Sequence, residues 1–448
     1  MVALAGPVVI TQLAHISLGF VDTVMVGRLG SDFLAGVALG NTMFYTATIF
    51  CMGIVMAVGP MVSQAFGAGH DDPIGRSVRQ GLWLAAALTI PAFLFLWNAA
   101  PILRMLGQSA PTIELSAAYL RAISWGIFPF LGFSVLRGFN EAVSNPRPVT
   151  VIALFGVVMN VGANYVLMFG KLGFPAMGLV GTGWASSFVF WFIFLGLILY
   201  SVVKQSFSRY GIFSKLGRPD PHYFKELFRI GWPIGASMGV EMSLFMIAVM
   251  MMGWIGTAQL AAHQVAIQCA AFTFMVPLGI GMASSVRVGQ AVGANDRDGV
   301  VRSGVVGIGL SVAFMTAAAV LFWTAPRSVI SLYLDLGSTD NAPVIEIAVS
   351  LLGIAAVFQV FDGIQVSAMG ALRGLKDTKT PMMLAIVAYW PVGLTAAFGL
   401  AFVLNLGEVG LWWGLVSGLG CAAILLTIRF FRQTAPDKFG PAIVLPDD

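Results

Sequence analysis

Long apolar runs alternate with short polar connections along the whole chain. Twelve of these runs are long enough to cross about 30 Å of hydrocarbon, with centres near residues 17, 48, 88, 127, 159, 190, 241, 272, 313, 358, 393 and 419. Lipid offers no partner to an unpaired backbone group, and the runs are too long and too continuously apolar for barrel strands, so each is predicted to be a helix. Pro91, Pro129, Pro277 and Pro391 fall inside runs, where they predict kinks. The first run carries His15 and Asp22 and has no basic leader, so it is expected to stay as the first helix and not to be removed as a signal peptide.

The polar connections orient the helices. With the N-terminus inside, the cytoplasmic segments hold nineteen Lys and Arg residues, among them Arg76, Arg137, Lys215, Arg218, Arg373, Arg429 and Lys438. The opposite side holds four, Arg28, Arg104, Lys171 and Arg327, and Arg121 lies within the fourth run. Because basic residues favour the cytoplasmic side, both termini are expected inside.

The two halves of the chain also resemble each other. Residues 7–81 laid over 233–307, a shift of 226, give 21 identities in 75 positions without a gap, and Leu136-Arg137-Gly138 returns as Leu372-Arg373-Gly374. Each half holds six runs, so the halves share one orientation and are expected to be related by an axis along the membrane normal. The predicted organisation is a six-helix lobe over 1–203, a cytoplasmic linker over 204–225, a second six-helix lobe over 226–432 and a tail over 433–448. The fold class is all-α integral membrane, with two pseudo-symmetric lobes around a central cleft.

Composition narrows the chemistry. Of 448 residues, 58% are hydrophobic and 10% charged, against roughly a quarter charged in an ordinary soluble domain, which excludes a water-soluble globule. The basic residues sit between apolar runs and not on one face, which removes nucleic acid as a partner. Cys51, Cys269 and Cys421 are isolated in apolar stretches and indicate neither a disulfide framework nor a structural metal site. No P-loop, GxGxxG or HExxH is present, so nothing points to ATP hydrolysis or a cofactor. Gly235-Ala236-Ser237-Met238-Gly239 fits GxSxG, but it lies inside one helical run and not at a strand-turn-helix elbow. The chain is therefore expected to be a secondary transporter and not an enzyme.

Three acids remain where lipid should forbid them: Asp22, Glu241 and Asp362 lie well inside runs. An intramembrane carboxylate costs at least a few kcal/mol and marks a functional site unless it is held in a structural hydrogen bond or an ion pair, for which Arg121 is the candidate. Glu241 shares a helical face with Ser237, Met238 and Phe245, and Asp362 lies beside Phe358, Gln359 and Gln365. If both acids line one cavity, a proton, a sodium ion or a cationic substrate is the natural counter-charge. In the first half, Asp22 shares a face with His15, and Asn160 and Asn164 in the fifth run supply further oxygens, either as ligands or as interhelical glue. Gly231, Gly235 and Gly239 form a ladder suited to close helix packing. Met238, Met242, Met246 and Met250 recur every fourth residue with nothing polar beside them, which favours lipid-facing packing over a drug-contacting wall. His263 reads as a core histidine.

Gly6-Pro7, Val21-Asp22-Thr23-Val24-Met25-Val26-Gly27, Gln64-Ala65-Phe66-Gly67-Ala68-Gly69, Gly231-Trp232-Pro233 with Glu241, and Asp362 through Arg373-Gly374 together resemble the multidrug and toxic compound extrusion family, in its NorM-like bacterial branch. The resemblance implies an inner-membrane antiporter that exports cationic, lipophilic drugs in exchange for sodium or protons. It assigns cation coupling to Glu241, Asp362 and Asp22, with Asn160, Asn164, Phe358, Gln359 and Phe245 as substrate or cation contacts. Phe358 stands where some relatives have Tyr, and Asn164 stands where the DinF-like branch has a second acid, which favours the sodium-coupled pattern. Transient sodium at Glu241 and Asp362, small organic cations and drugs as substrates, the bilayer as environment and a monomeric state complete the expectation. The alternative is a flippase for a lipid-linked saccharide, which would need cationic groups in the cleft, where Arg121 is the one candidate.

Overall fold

The computed structural model describes residues 1–105, 107–213, 217, 219–437 and 439. Lys215, Arg218, Lys438 and most of the tail over 433–448 lie outside the described residues. The described chain is helical throughout and contains twelve helices long and apolar enough to span a membrane. We number these spans one to twelve: Val2–Gly27, Ser31–Gly67, Asp71–Trp97, Ala110–Ala142, Arg147–Phe169, Leu179–Val203, Pro221–Ile255, Thr257–Gly293, Arg297–Thr324, Thr339–Gly374, Lys379–Val403 and Gly407–Gln433. Every apolar run predicted from the sequence falls inside one of them.

Several spans are interrupted where the backbone hydrogen-bond ladder changes pitch. Span four passes through one 3₁₀ turn at Ser124–Gly126, just before Pro129. Span eleven widens to π-helix over Ala388–Leu394, around Pro391, and again over Gly399–Val403. A proline cannot donate to the carbonyl four residues back, and a local π-bulge absorbs the defect without ending the helix.

Two compact units emerge, one formed by Met1–Val9 with Ala236 through span twelve, the other by Ile10–Gly235. The division falls within spans one and seven, so each of these helices contributes to both units. The first unit has a continuous core containing Phe358, Trp412, Leu415 and Phe430, and the second buries Tyr119, Phe133 and Phe139. Residues such as Phe155, Leu199, Met246 and Trp254 remain exposed, an apolar surface suited to lipid. Met242, Met246 and Met250 of the methionine stripe are exposed and Met238 is half-buried.

The polar segment after span six docks on span three within the second unit. Arg79 Nη1 donates to Gly211 O at 2.6 Å, Arg209 lies 3.6 Å from Asp71, and Arg76 Nη1 lies 3.8 Å from Asp220. Gly75 makes room for this, because a Cβ there would collide with the Tyr210 carbonyl.

The glycine ladder of span seven divides the same way. A Cβ at Gly231 would strike the Ile54 backbone and one at Gly235 the Phe50 carbonyl, whereas Gly239 meets nothing within 4 Å. Small residues are needed where two membrane helices approach backbone to backbone. Gly231→Ala and Gly235→Ala should therefore each cost about 1–3 kcal/mol of stability by overpacking. Gly239→Ala should be neutral. Thermal melting of the three purified variants in detergent checks the contrast, and equal melting temperatures would contradict it.

Candidate functional site

Asp22 lies in span one and is 5% exposed. Its Oδ1 accepts from Asn160 Nδ2 at 3.0 Å and Asn164 Nδ2 at 2.6 Å, and its Oδ2 accepts from Ser186 Oγ at 2.8 Å. The two asparagines are one helical turn apart on span five and converge on one carboxylate oxygen because residues four apart share a face. Both present Nδ2 to Asp22, and both Oδ1 atoms are buried without a hydrogen-bond partner. An acid wrapped in neutral donors, beside two unused amide oxygens, is a polar pocket that can take up a proton or a small hard cation. Arg121 is not its counter-ion: it is exposed, with its guanidinium 5.9 Å from the centre of the Trp97 ring.

The sequence placed Asp22, Asn160 and Asn164 here but missed Ser186. The signal was the Ser186-Ser187 pair within the otherwise apolar span six, a segment with no charge to draw attention to it. His15, expected on the same face as Asp22, lies against Phe133, with ring centres 5.5 Å apart, and is not among the hydrogen-bond donors to Asp22.

Within the other unit, Glu241 and Asp362 line one cavity of about 140 Å³ together with Phe245, Phe274, Phe358 and the small side of span eight. Asp362 and Phe358 are buried, the first 6% and the second 1% exposed. Asp362 Oδ1 has no hydrogen-bond partner, and the two acids act on each other electrostatically. Phe358 is held edge-on by Phe245 at 6.1 Å and by Trp412 at 5.6 Å between ring centres. Two carboxylates sharing one small cavity with three phenylalanines can attract a positive charge by their own charge and by the ring quadrupoles.

Gln359, one residue from Phe358, takes a different role. Its Oε1 accepts from Thr273 Oγ1 at 2.9 Å and its Nε2 reaches Met315 O at 3.4 Å, so it joins spans eight, nine and ten outside the cavity lining. Gln365 is buried and lies close to Glu241, and Tyr389 is buried with its hydroxyl unpartnered. Tyr389 and Arg373 belong to the surroundings of Glu241 as well, and the sequence reading singled out neither as a site residue. His263 is fully buried, its ring 5.6 Å from that of Trp412.

Twelve apolar helices with carboxylates among polar and aromatic groups describe a multi-pass membrane protein, and its family and relatives make it a transporter and not an enzyme. The chain belongs to the MatE family, whose profile matches residues 7–166 and 233–398. The two matched segments begin 226 residues apart, the shift of the internal repeat. The chain is 42% identical over 434 residues to a "Probable multidrug resistance protein NorM" of Pseudomonas aeruginosa, covering 96% of this chain and 88% of that one. A protein of the same description from Mesorhizobium japonicum is 41% identical over 443 residues, 98% of this chain and 94% of its own. Among solved structures, the eukaryotic MATE transporter AtDTX14 shares the fold with a TM-score of 0.85 at 20% identity, over 98% of this chain and 97% of its own. A transporter of the MOP superfamily from Pyrococcus furiosus matches with a TM-score of 0.85 at 19% identity, over 97% and 95%.

Proposed function

We propose that this protein is a cation-coupled antiporter that exports organic, mostly cationic and lipophilic compounds in exchange for sodium or protons. The observation that carries the reading is the cavity that half-buried Glu241 and buried Asp362 line together with Phe245, Phe274 and Phe358. At about 140 Å³ it is smaller than the several hundred Å³ of a typical drug pocket, so it holds a coupling cation or the charged head of a substrate and not a whole drug. The Asp22 pocket, with the idle amide oxygens of Asn160 and Asn164, provides a second place for a proton or cation. The multidrug resistance names of the relatives support the substrate range.

Energy for this exchange needs no nucleotide. One charge moving down 100 mV yields about 2.3 kcal/mol, enough for a substrate gradient of about fifty-fold. The excess of basic residues on alternate connections supports cytoplasmic termini, and the apolar surface suits the inner membrane. The arrangement requires no second copy, and we read the working unit as a monomer.

Substrate charge is the direct test. Everted vesicles bearing the protein should accumulate a fluorescent lipophilic cation and exclude a lipophilic anion of matched size. Preferential transport of the anion, lost in Arg121→Ala, would overturn this reading in favour of the transport of an anionic lipid-linked sugar.

A further inference from the structure

Arg121 lies inside the fourth apolar run and takes part in neither acid site. Its depth follows from span six. Ser187 Oγ donates to the carbonyl of Ala122, the next residue, at 2.8 Å, and Ser187 stands eight residues from Leu179, where span six begins. At 1.5 Å per residue that is about 12 Å below the end of the span, inside the hydrocarbon boundary. A cation there is costly unless it reaches water or meets a counter-charge. Among the described residues, no acid forms an ion pair with Arg121, including Glu114, two turns outward on the same face.

The side chain faces lipid. Tyr119, two residues earlier and so about 200° around the helix, turns the other way: its hydroxyl donates to Asn41 Oδ1 at 2.7 Å, and Gly40 makes room for its ring. Arg121 is exposed on the opposite side, its guanidinium 5.9 Å from the centre of the Trp97 ring. Phe93 stacks on Trp97 at 5.1 Å and meets Trp125 edge-on at 5.5 Å. Trp191 Nε1 donates to the Trp125 carbonyl at 3.2 Å, which fixes this aromatic platform to span six. Ile90, Leu94, Trp97 and Trp125 are all exposed, an apolar surface carrying the tryptophans of an interfacial belt.

Span three ends at Trp97, and the chain turns there into the short helix Ala99–Met105. Its one charged residue, Arg104, is exposed and has no ion pair among the described residues either. Basic residues are disfavoured on this side of the membrane, where the connections hold four against nineteen opposite. Two cations that no acid of the chain answers are nevertheless kept at the ends of spans three and four.

We propose that Arg121 binds the headgroup phosphate of an anionic phospholipid in the leaflet opposite the basic connections. The guanidinium reaches outward from the edge of the hydrocarbon, and its planar fork matches two phosphate oxygens. Trp97 backs the charge on one face, while Phe93 and Trp125 offer apolar contact to the upper part of an acyl chain. Arg104 adds positive potential at the same end, which favours an anionic over a zwitterionic headgroup. This site goes beyond the antiport reading and does not depend on it: the lipid is resident on the surface and is not cargo.

The test is lipid retention by the purified full chain, read by native mass spectrometry on the first lipid bound after equilibration with equal amounts of phosphatidylglycerol and phosphatidylcholine. The wild type should favour phosphatidylglycerol by about five- to tenfold. Arg121→Gln should lose most of that preference, and Trp97→Ala about half of it. Arg28→Gln removes an exposed cation from the same side and should keep the preference. If Arg121→Gln does not fold, labelling of the wild type decides: phosphatidylglycerol with a diazirine high in one acyl chain should mark the peptides bearing Trp97 and Trp125. No preference in the wild type, a preference kept in Arg121→Gln, an equal loss in Arg28→Gln, or labelling confined to other spans overturns the proposal. Displacement of the lipid by excess inorganic phosphate would overturn it in favour of a free anion. Transfer of phosphatidylglycerol between leaflets, lost in Arg121→Gln, would overturn it in favour of a cargo site.

Discussion

Glu241→Gln and Asp362→Asn should each lower gradient-driven efflux by about a hundredfold while the protein still folds. Both acids line the same small cavity, and the amides keep the shape of the side chain but remove the charge. Losing one member of a buried charge interaction costs about 3–5 kcal/mol, and each 1.4 kcal/mol is worth about tenfold. Folding should survive because the amides keep the shape of the side chains, and at Asp362, whose Oδ1 has no hydrogen-bond partner, the change also removes a desolvation penalty, so the melting temperature of Asp362→Asn should hold or rise. Efflux and melting measured on the same purified variants separate the two effects. Full efflux in both variants would remove the cavity from the mechanism.

Asp22→Asn should be nearly as damaging, and by a different route. The carboxylate accepts three hydrogen bonds, from Asn160, Asn164 and Ser186. An amide in its place can keep its oxygen toward the two asparagines and donate to Ser186 Oγ, so the hydrogen bonds survive and the charge is lost. Efflux should fall by about ten- to a hundredfold from the lost charge, about 1–3 kcal/mol for hydrogen bonds that no longer go to a charged group. The partners should grade with their geometry: Asn164→Ala, at 2.6 Å, should cost more than Asn160→Ala, at 3.0 Å. Ser186→Ala should also reduce efflux, which would place span six in the site. Efflux rates for the four variants give the order, and an Asp22→Asn protein that transports normally would reduce the pocket to structural glue.

The number and extent of the spans were legible because membrane insertion is read from summed hydropathy, which a chain cannot disguise. The internal repeat was legible for a related reason: two units packed alike keep their small residues at the same places, as Gly138 and Gly374 do. What stayed hidden depends on helix rotation. Gln359 and Gln365 both lie near Asp362 in sequence, yet Gln359 is spent on Thr273 and Met315 while Gln365 lies close to Glu241. Period-3.6 spacing alone does not say which neighbour each face meets.

Ser186 and Arg373 were hidden for opposite reasons. A hydroxyl within an apolar span carries little weight in hydropathy, although a single buried oxygen can complete a site. Arg373 carries great weight, but as one of nineteen basic residues used to orient the chain it was read as surface charge. Its Nε is buried all the same, because the residue still lies within span ten, which ends at Gly374.

The central claim is that movement of a cation through these acids drives movement of the substrate. The most direct measurement is efflux of a lipophilic cation from proteoliposomes with sodium and proton gradients imposed separately and no nucleotide present. The account predicts that at least one gradient drives efflux against the substrate's own gradient, and that Glu241→Gln abolishes this drive. Efflux of equal rate with and without either gradient, or uphill efflux retained in Glu241→Gln, would contradict it.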